Sequence, residues 1–219
     1  MRARLGLFCD SPYPIFPDFN LHLAQIATQH MTRADFEALP ESRLQYFLTA
    51  FVRNPYDRAY SGFRQLQRDM KILPRIPYAN PWVRDCVLKC LAEIEEQLTM
   101  ASFDFDNWIA RLELQQILDA NHNICFPLHP AHYWTHHNGL RAVDFIGKVE
   151  NFEDDFASLC AKLGVEDWSY INANVDYNAE AAPHPDGYKY IHLMNPASIA
   201  RIGRLFDKDF EIFGYRRLP

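Results

Sequence analysis

The chain has 219 residues, of which 48% are hydrophobic, so it is long enough to bury one well-packed core. Its net charge of −6 argues against a general nucleic-acid binder, which needs a basic surface. No run of about 18 consecutive apolar residues occurs, so no membrane span is predicted in this chain.

The N-terminal segment is predicted to be irregular over residues 1–20, where three closely spaced prolines leave no room for a regular element. A short helix is then expected over Leu21–Thr28. A second helix is expected over Thr32–Leu39, because Asp35 follows the capping residue Thr32 by three positions.

The first strand is predicted over Tyr46–Val52, an apolar run that does not alternate and is therefore expected to be buried on both faces. A helix over Pro55–Met70 follows it. Asn54 suits the N-cap, Pro55 suits the first helical position, and Asp57 in the first turn complements the helix dipole.

The rest of the chain is predicted to be mainly helical. The expected elements are helices over Pro81–Thr99 and Asn107–Asp119, a strand over Val143–Val149 weakened by Gly147, a helix over Phe152–Leu163 closed by Gly164, and a helix over Pro196–Phe206 capped by Asn195. Buried strands followed by helices predict an α/β fold with a small parallel sheet surrounded by many helices.

The five cysteines are odd in number and scattered along the chain. This usage is typical of reduced, largely buried thiols and predicts a cytoplasmic protein. Cys86 and Cys90 lie one helical turn apart, but no second Cys or His pair is nearby, so core thiols are favoured over a zinc site.

Arg53 ends the first predicted strand, at the edge where open α/β sheets bind their ligands. The helix N-terminus there offers free N–H groups, and a guanidinium matches phosphate oxygens. Ser61 lies about 10 Å further along the helix axis, where its hydroxyl could reach a phosphate lying alongside the first two turns. An alternative stays open, in which Arg53 pairs with Asp57 and Ser61 is a small packing residue.

The segment AFVRNPYDRAYSGF resembles the 3′-phosphate-binding motif of the sulfotransferase family that includes the carbohydrate sulfotransferases, of the type related to heparan sulfate 2-O-sulfotransferase. In that motif Arg-(Asp/Asn)-Pro-x-x-Arg-x-x-Ser follows a strand. The resemblance implies that Arg53 and Ser61 hold the 3′-phosphate of the co-substrate 3′-phosphoadenosine 5′-phosphosulfate (PAPS). It also implies that the middle arginine, Arg58, is structural.

Two further segments resemble the same family: VDFIGKVENFEDDFASLCAKLGV, residues 143–165, and the C-terminal FDKDFEIFGY, residues 206–215. The similarity covers roughly His30 to Arg217. Residues 1–219 are therefore expected to form a single sulfotransferase-like domain in which residues 1–29 match poorly. The implied fold is the P-loop-like sulfotransferase fold.

The resemblance implies an enzyme that transfers a sulfuryl group from PAPS to a hydroxyl of a carbohydrate-type acceptor, without a metal. Some members use a histidine upstream of the motif as general base, and this position falls on His30. A near-neutral imidazole can take the proton of the attacking hydroxyl. The alternative is a helix-capping or core histidine.

The family's loop for the 5′-phosphosulfate, similar to Pro-Lys-x-Gly-(Ser/Thr)-(Ser/Thr), has no counterpart in the sequence, whose first lysine is Lys71. Removing such charge stabilisation commonly costs about 3 kcal/mol or more per group. We therefore expect an N-terminally incomplete domain, and weak or absent transfer if the chain is complete as printed. The alternative function is a catalytically inactive module that binds adenosine 3′,5′-bisphosphate (PAP) or a sugar.

The loop PHPDGYKYI, residues 183–191, matches the position at which the family often covers the nucleotide. The resemblance implies that Lys189 contacts a phosphate and that Tyr188 is a stacking partner. A plain surface loop is the alternative.

Two other groups of residues are candidates for acceptor or metal contacts. Arg64, Arg68, Lys71 and Arg75 recur at helical spacing and form either a basic strip for an anionic acceptor or a solvated helix face. The run LHPAHYWTHH places four histidines at the family's acceptor loop, with Pro130-Ala131 in place of its Pro-Gln pair. No Glu lies between His132 and His136 in the metalloprotease manner, which disfavours a metal site. No pattern specifies an oligomeric state.

Overall fold

The structure is a computed structural model that describes residues 47–75, 81–119, 128–169 and 188–219. The helices predicted over Leu21–Thr28 and Thr32–Leu39 lie outside these residues, and so does His30.

The described residues form a small parallel sheet, a short hairpin and a majority of helices. In chain order the elements are β1 (Thr49–Val52), α1 (Pro55–Ile72), α2 (Pro81–Met100), α3 (Phe105–Arg111), α4 (Leu114–Asp119), α5 (His132–Thr135), β2 (His136–His137), β3 (Leu140–Arg141), β4 (Phe145–Lys148), α6 (Phe152–Leu163), α7 (Pro196–Leu205) and α8 (Asp207–Phe213). None of the described helices is both long and apolar enough to cross a bilayer.

Strands β1 and β4 pair in parallel, from Thr49 opposite Phe145 to Val52 opposite Lys148. This pairing and the surrounding helices confirm the predicted α/β class with a small parallel sheet. The prediction that β1 is buried on both faces is wrong at Thr49, which is exposed, because only Val52 at the far end of the strand reaches the core.

Gly147 leaves room for the ring of Phe51, its pairing partner on β1. A Cβ atom at this position would lie 2.5 Å from Cε1 of the Phe51 ring, a separation that side chains do not tolerate. The ring also packs 4.9 Å, centroid to centroid, from the ring of Phe152 on α6. Gly147 was predicted to weaken β4, but its missing side chain is what lets Phe51 fill this space.

Capping residues set the helix ends where the sequence predicts them. Oδ1 of Asn54 accepts the N–H of Tyr56 at 2.9 Å and opens α1, and Oδ1 of Asn195 accepts the N–H of Ser198 at 2.8 Å and opens α7. Gly164 closes α6 with φ at 66° in the left-handed region.

One helix prediction needs correction. The helix expected over Asn107–Asp119 is two helices, α3 and α4, because the chain becomes extended at Leu112, whose side chain is buried. The helix expected to run to about Phe206 ends at Leu205, as predicted, and α8 follows directly. Phe206 ends α7 because it leaves helical geometry and buries its ring in the core.

The core lies between α1 and the C-terminal helices. Its largest fully buried side chains include Trp108 on α3, Tyr56 on α1 and Phe210 on α8, and the rings of Tyr56 and Phe210 are 4.9 Å apart, centroid to centroid. The first turn of α1 is therefore held by packing from helices that lie more than 130 residues further along the chain.

We expect Gly147→Ala to lower the free energy of unfolding by about 1–3 kcal/mol, because the new methyl group overlaps the Phe51 ring. The matched control is Gly203→Ala in α7, where the nearest atom outside the helix is 3.9 Å away. That change should instead stabilise the protein by about 0.5–1 kcal/mol. Chemical denaturation measures both variants. Equal stability of Gly147→Ala and wild type would contradict the close approach.

Candidate functional site

Arg53 lies between the end of β1 and the N-cap Asn54, and its side chain is half-buried. Its guanidinium carbon lies 5.6 Å from the centroid of the Tyr190 ring. Among the described residues, no carboxylate lies within ion-pair distance of Arg53, so the predicted alternative of an Arg53–Asp57 pair is not what the structure forms.

Asp57 instead fixes a distant segment to the first turn of α1. Its carboxylate is buried and accepts the backbone N–H groups of Lys189 at 3.0 Å and Tyr190 at 2.9 Å. Lys189 and Arg53 contact the same aromatic ring, because the Lys189 ammonium lies 5.2 Å from the centroid of Tyr190. The structure therefore brings together two of the predicted site residues, Arg53 and Lys189, around one aromatic ring.

Ser61 lies one turn beyond Asp57 on the same face of α1 and is half-buried. Within the described residues its hydroxyl has no recorded side-chain partner. Its neighbour Tyr60 packs against Tyr190 with the ring centroids 5.0 Å apart. Tyr190 thus lies alongside the first two turns of α1, a placement that no local sequence signal revealed.

Tyr188 lies in the core. It is 4% exposed, its hydroxyl donates to the backbone oxygen of Arg216 at 2.6 Å, and its ring meets the edge of the Tyr56 ring. These contacts place the Tyr188 ring in the core, and its predicted stacking role stays a prediction. The predicted base His30 lies outside the described residues, so its role stays a prediction.

Glu150 connects the strand–helix turn to the C-terminal segment. One carboxylate oxygen accepts the backbone N–H of Asn54 at 2.7 Å, and the other accepts the hydroxyl of Tyr215 at 3.0 Å. Burial and the neighbouring Glu150 charge raise the pKa of Tyr215, which keeps its hydroxyl protonated as a donor. Residues from all three segments that resemble the family therefore meet at this turn.

Asp209 makes a second connection between these segments. Its fully buried carboxylate lies 2.7 Å from the guanidinium of Arg58, which agrees with the structural role implied for that arginine. The backbone N–H of Ala131 donates to it at 2.7 Å, and Nδ1 of His132 lies 2.7 Å away. Burial alone would raise the pKa of Asp209, but His132, Arg58 and the backbone N–H groups outweigh it and lower the pKa.

The histidine-rich segment forms α5 and a hairpin of β2 and β3. The hairpin turns at Asn138 and Gly139, which have φ angles of 50° and 77°, and this Asn-Gly pair was a turn signal that the sequence analysis missed. In the described part of the chain, no three His, Cys, Asp or Glu side chains are placed to hold a metal ion.

The basic residues beyond Ser61 divide into two groups. Arg64, Arg68 and Lys71 are exposed on α1, whereas Arg75 lies in a 3₁₀ turn past the end of the helix. Any basic strip on this helix therefore excludes Arg75.

Comparison with known proteins gives one family match. A model described as the sulfotransferase family matches residues 16–216, so the match begins before His30, where the similarity first becomes recognisable by inspection. No curated protein and no solved structure matches the chain significantly.

We expect Asp209→Asn to cost about 3–5 kcal/mol of stability near neutral pH, because it leaves Arg58 without its buried counter-charge. The folded pKa of Asp209 is lower than its unfolded value of about 3.9, so the ionised carboxylate stabilises the fold fully above the unfolded pKa. That stability is lost as the pH falls through the folded pKa. Urea denaturation at about pH 7 and about pH 3 should show the gap between wild type and variant shrinking in acid. Asp167→Asn, an exposed loop change, is the control, and a gap independent of pH would contradict the prediction.

Proposed function

Because the chain belongs to the sulfotransferase family, we propose that it transfers a sulfuryl group from PAPS to a hydroxyl of a carbohydrate-type acceptor. The observation that carries this proposal is the placement of Arg53 at the strand end, with no described carboxylate to neutralise it, while Lys189 lies against the same Tyr190 ring. Two cations that contact one aromatic ring beside a helix N-terminus suit a phosphate dianion.

Each predicted contact of the 3′-phosphate has a distinct role in this proposal. Arg53 supplies a planar pair of donors, and Lys189 adds a point charge on a flexible stem. Ser61 donates its hydroxyl from one turn beyond Asp57, on the side of α1 that it shares with that carboxylate. The negative charge of Asp57 does not face the phosphate directly, because the carboxylate is buried and accepts two backbone N–H groups.

The reaction needs a group that takes the proton of the acceptor hydroxyl as its oxygen attacks sulfur. The resemblance assigns this role to His30. The products are the sulfated acceptor and PAP.

A second candidate function is a module that binds PAP or a sugar without catalysing transfer. It is favoured by one sequence observation: residues 1–70 contain no lysine to stabilise the leaving 5′-phosphate. Both candidate functions use the phosphate site at Arg53. They differ in whether the protein catalyses sulfuryl transfer.

Calorimetric titration with PAP tests the shared site. We expect the wild type to bind PAP and Arg53→Ala to bind it about 10- to 100-fold more weakly, because a charge-assisted hydrogen bond contributes about 1.5–3 kcal/mol. Arg204→Ala, which removes an exposed arginine from α7, is the matched control and should bind like the wild type. Equal affinity in wild type and Arg53→Ala, or no binding in either, would contradict the site.

Incubation with PAPS and a panel of methyl glycosides then separates the two functions. Release of PAP with formation of a sulfated sugar supports the enzyme. Tight PAP binding without turnover supports the inactive module.

A further inference from the structure

His132 is held in one orientation by a single buried carboxylate. Oδ1 of Asp209 lies 2.7 Å from Nδ1 of the ring and 3.0 Å from the backbone N of the same residue. Oδ2 accepts the N–H of the preceding residue, Ala131. Both the backbone and the ring of His132 are therefore fixed to α8.

This arrangement determines which ring nitrogen carries the proton. An ionised Asp209 can only accept, so Nδ1 of the neutral ring is the donor and Nε2 keeps its lone pair. The His132 side chain is 17% exposed, and Nε2 makes no hydrogen bond to another described residue. A carboxylate that orients an imidazole in this way is how proton-accepting histidines are prepared in enzymes.

The segment that carries the ring lies at the end of β1 that precedes Arg53. Ala131, immediately before His132, belongs to one small cluster of buried apolar residues with Phe213 and with Val52, the last residue of β1. Arg53 follows Val52 directly. His132 is thus positioned near the strand end that carries the proposed phosphate site, on the Arg58 side of α1 rather than the Asp57 side.

We propose that Nε2 of His132 is the proton acceptor for the acceptor hydroxyl, with Asp209 as its positioning residue. The proposal rests on the sulfotransferase function proposed above and replaces His30 in that role. The acceptor O–H gives its proton to Nε2 while its oxygen forms a bond to sulfur. The bond from sulfur to the 5′-phosphate oxygen breaks, its electron pair leaves on PAP, and the protonated ring later returns its proton to water.

Several charged or titratable groups face the ring and shape its pH dependence. Asp209 lies on α8, Arg58 reaches the same carboxylate from α1, and His136 is close enough for its charge to interact with His132. The ring of Tyr133 lies 4.6 Å away, centroid to centroid. Tyr215 also feels the charges of Arg58 and Asp209, but its raised pKa keeps it neutral. A general base acts only in its unprotonated form, so a proton-accepting imidazole predicts a faster rate in alkaline than in acidic solution.

His132→Asn separates catalysis from structure. The asparagine amide can donate to Asp209 in place of Nδ1–H but offers no basic nitrogen at the position of Nε2. The matched control is His192→Asn, which changes an exposed histidine in the 3₁₀ turn Ile191–Leu193. For both variants of the full chain we would measure the melting temperature, the affinity for PAP, and the release of PAP from PAPS. Water and then methyl glycosides serve as acceptors, from about pH 5 to about pH 9.

We expect His132→Asn to keep the melting temperature and the PAP affinity of the wild type. Its rate of PAP release should fall by about 100-fold or more, and this rate should no longer increase from acidic to alkaline solution. His192→Asn should match the wild type in all three measurements. If the wild type binds PAP but releases it from PAPS no faster than His132→Asn, the base assignment is wrong and the phosphate site stands. If the wild type does not bind PAP, the proposed function fails, and the assignment of His132 fails with it.

Discussion

The turn at Asn54 is the constraint on which the rest of the site depends. Its side chain is fully buried and caps α1, while its backbone N–H is bound by Glu150 from beyond the end of β4. Hydrogen bonds to both the side chain and the backbone of Asn54 restrict its conformation. They thereby also restrict the position of Arg53, the residue directly before it. Glu150 in turn binds Tyr215, so the C-terminal segment helps to set the direction of a side chain about 160 residues earlier.

Two buried carboxylates, those of Asp57 and Asp209, connect the first turn of α1 to two different segments of the chain. Asp57 faces outward from the helix to bind the backbone of residues 189 and 190, and Arg58 next to it reaches Asp209 on α8. Neighbouring residues on a helix point about 100° apart, so these contacts hold two different sides of the helix. Arg53 and Lys189 lie on one side of the helix, and the oriented imidazole of His132 lies on the other. One short stretch of sequence could therefore position residues that contact both the sulfuryl donor and the acceptor.

The local features of this fold were predictable from the sequence, whereas the partners of the buried charges were not. Asn54, Gly164 and Asn195 act within a few residues of themselves, so their capping roles follow from residue type and position. The parallel pairing followed from two apolar runs that each precede a helix. By contrast, the partners of Asp57 and Asp209 lie far away in the sequence, and no periodicity indicates that Tyr190 packs beside Arg53. For the same reason the burial of Tyr188 in the core could not be read from the sequence.

The way Asp57 holds its segment has a consequence for how such a site can diverge. The carboxylate binds main-chain amides, which every residue except proline possesses, and it does not depend on the identity of the side chains at positions 189 and 190. Evolution can therefore exchange the charged side chain at position 189, which is only half-buried, while the anchor itself stays in place. Ligand preference and the attachment of the segment therefore depend on different atoms. A single substitution could change the ligand preference and leave the hydrogen bonds from the backbone to Asp57 intact.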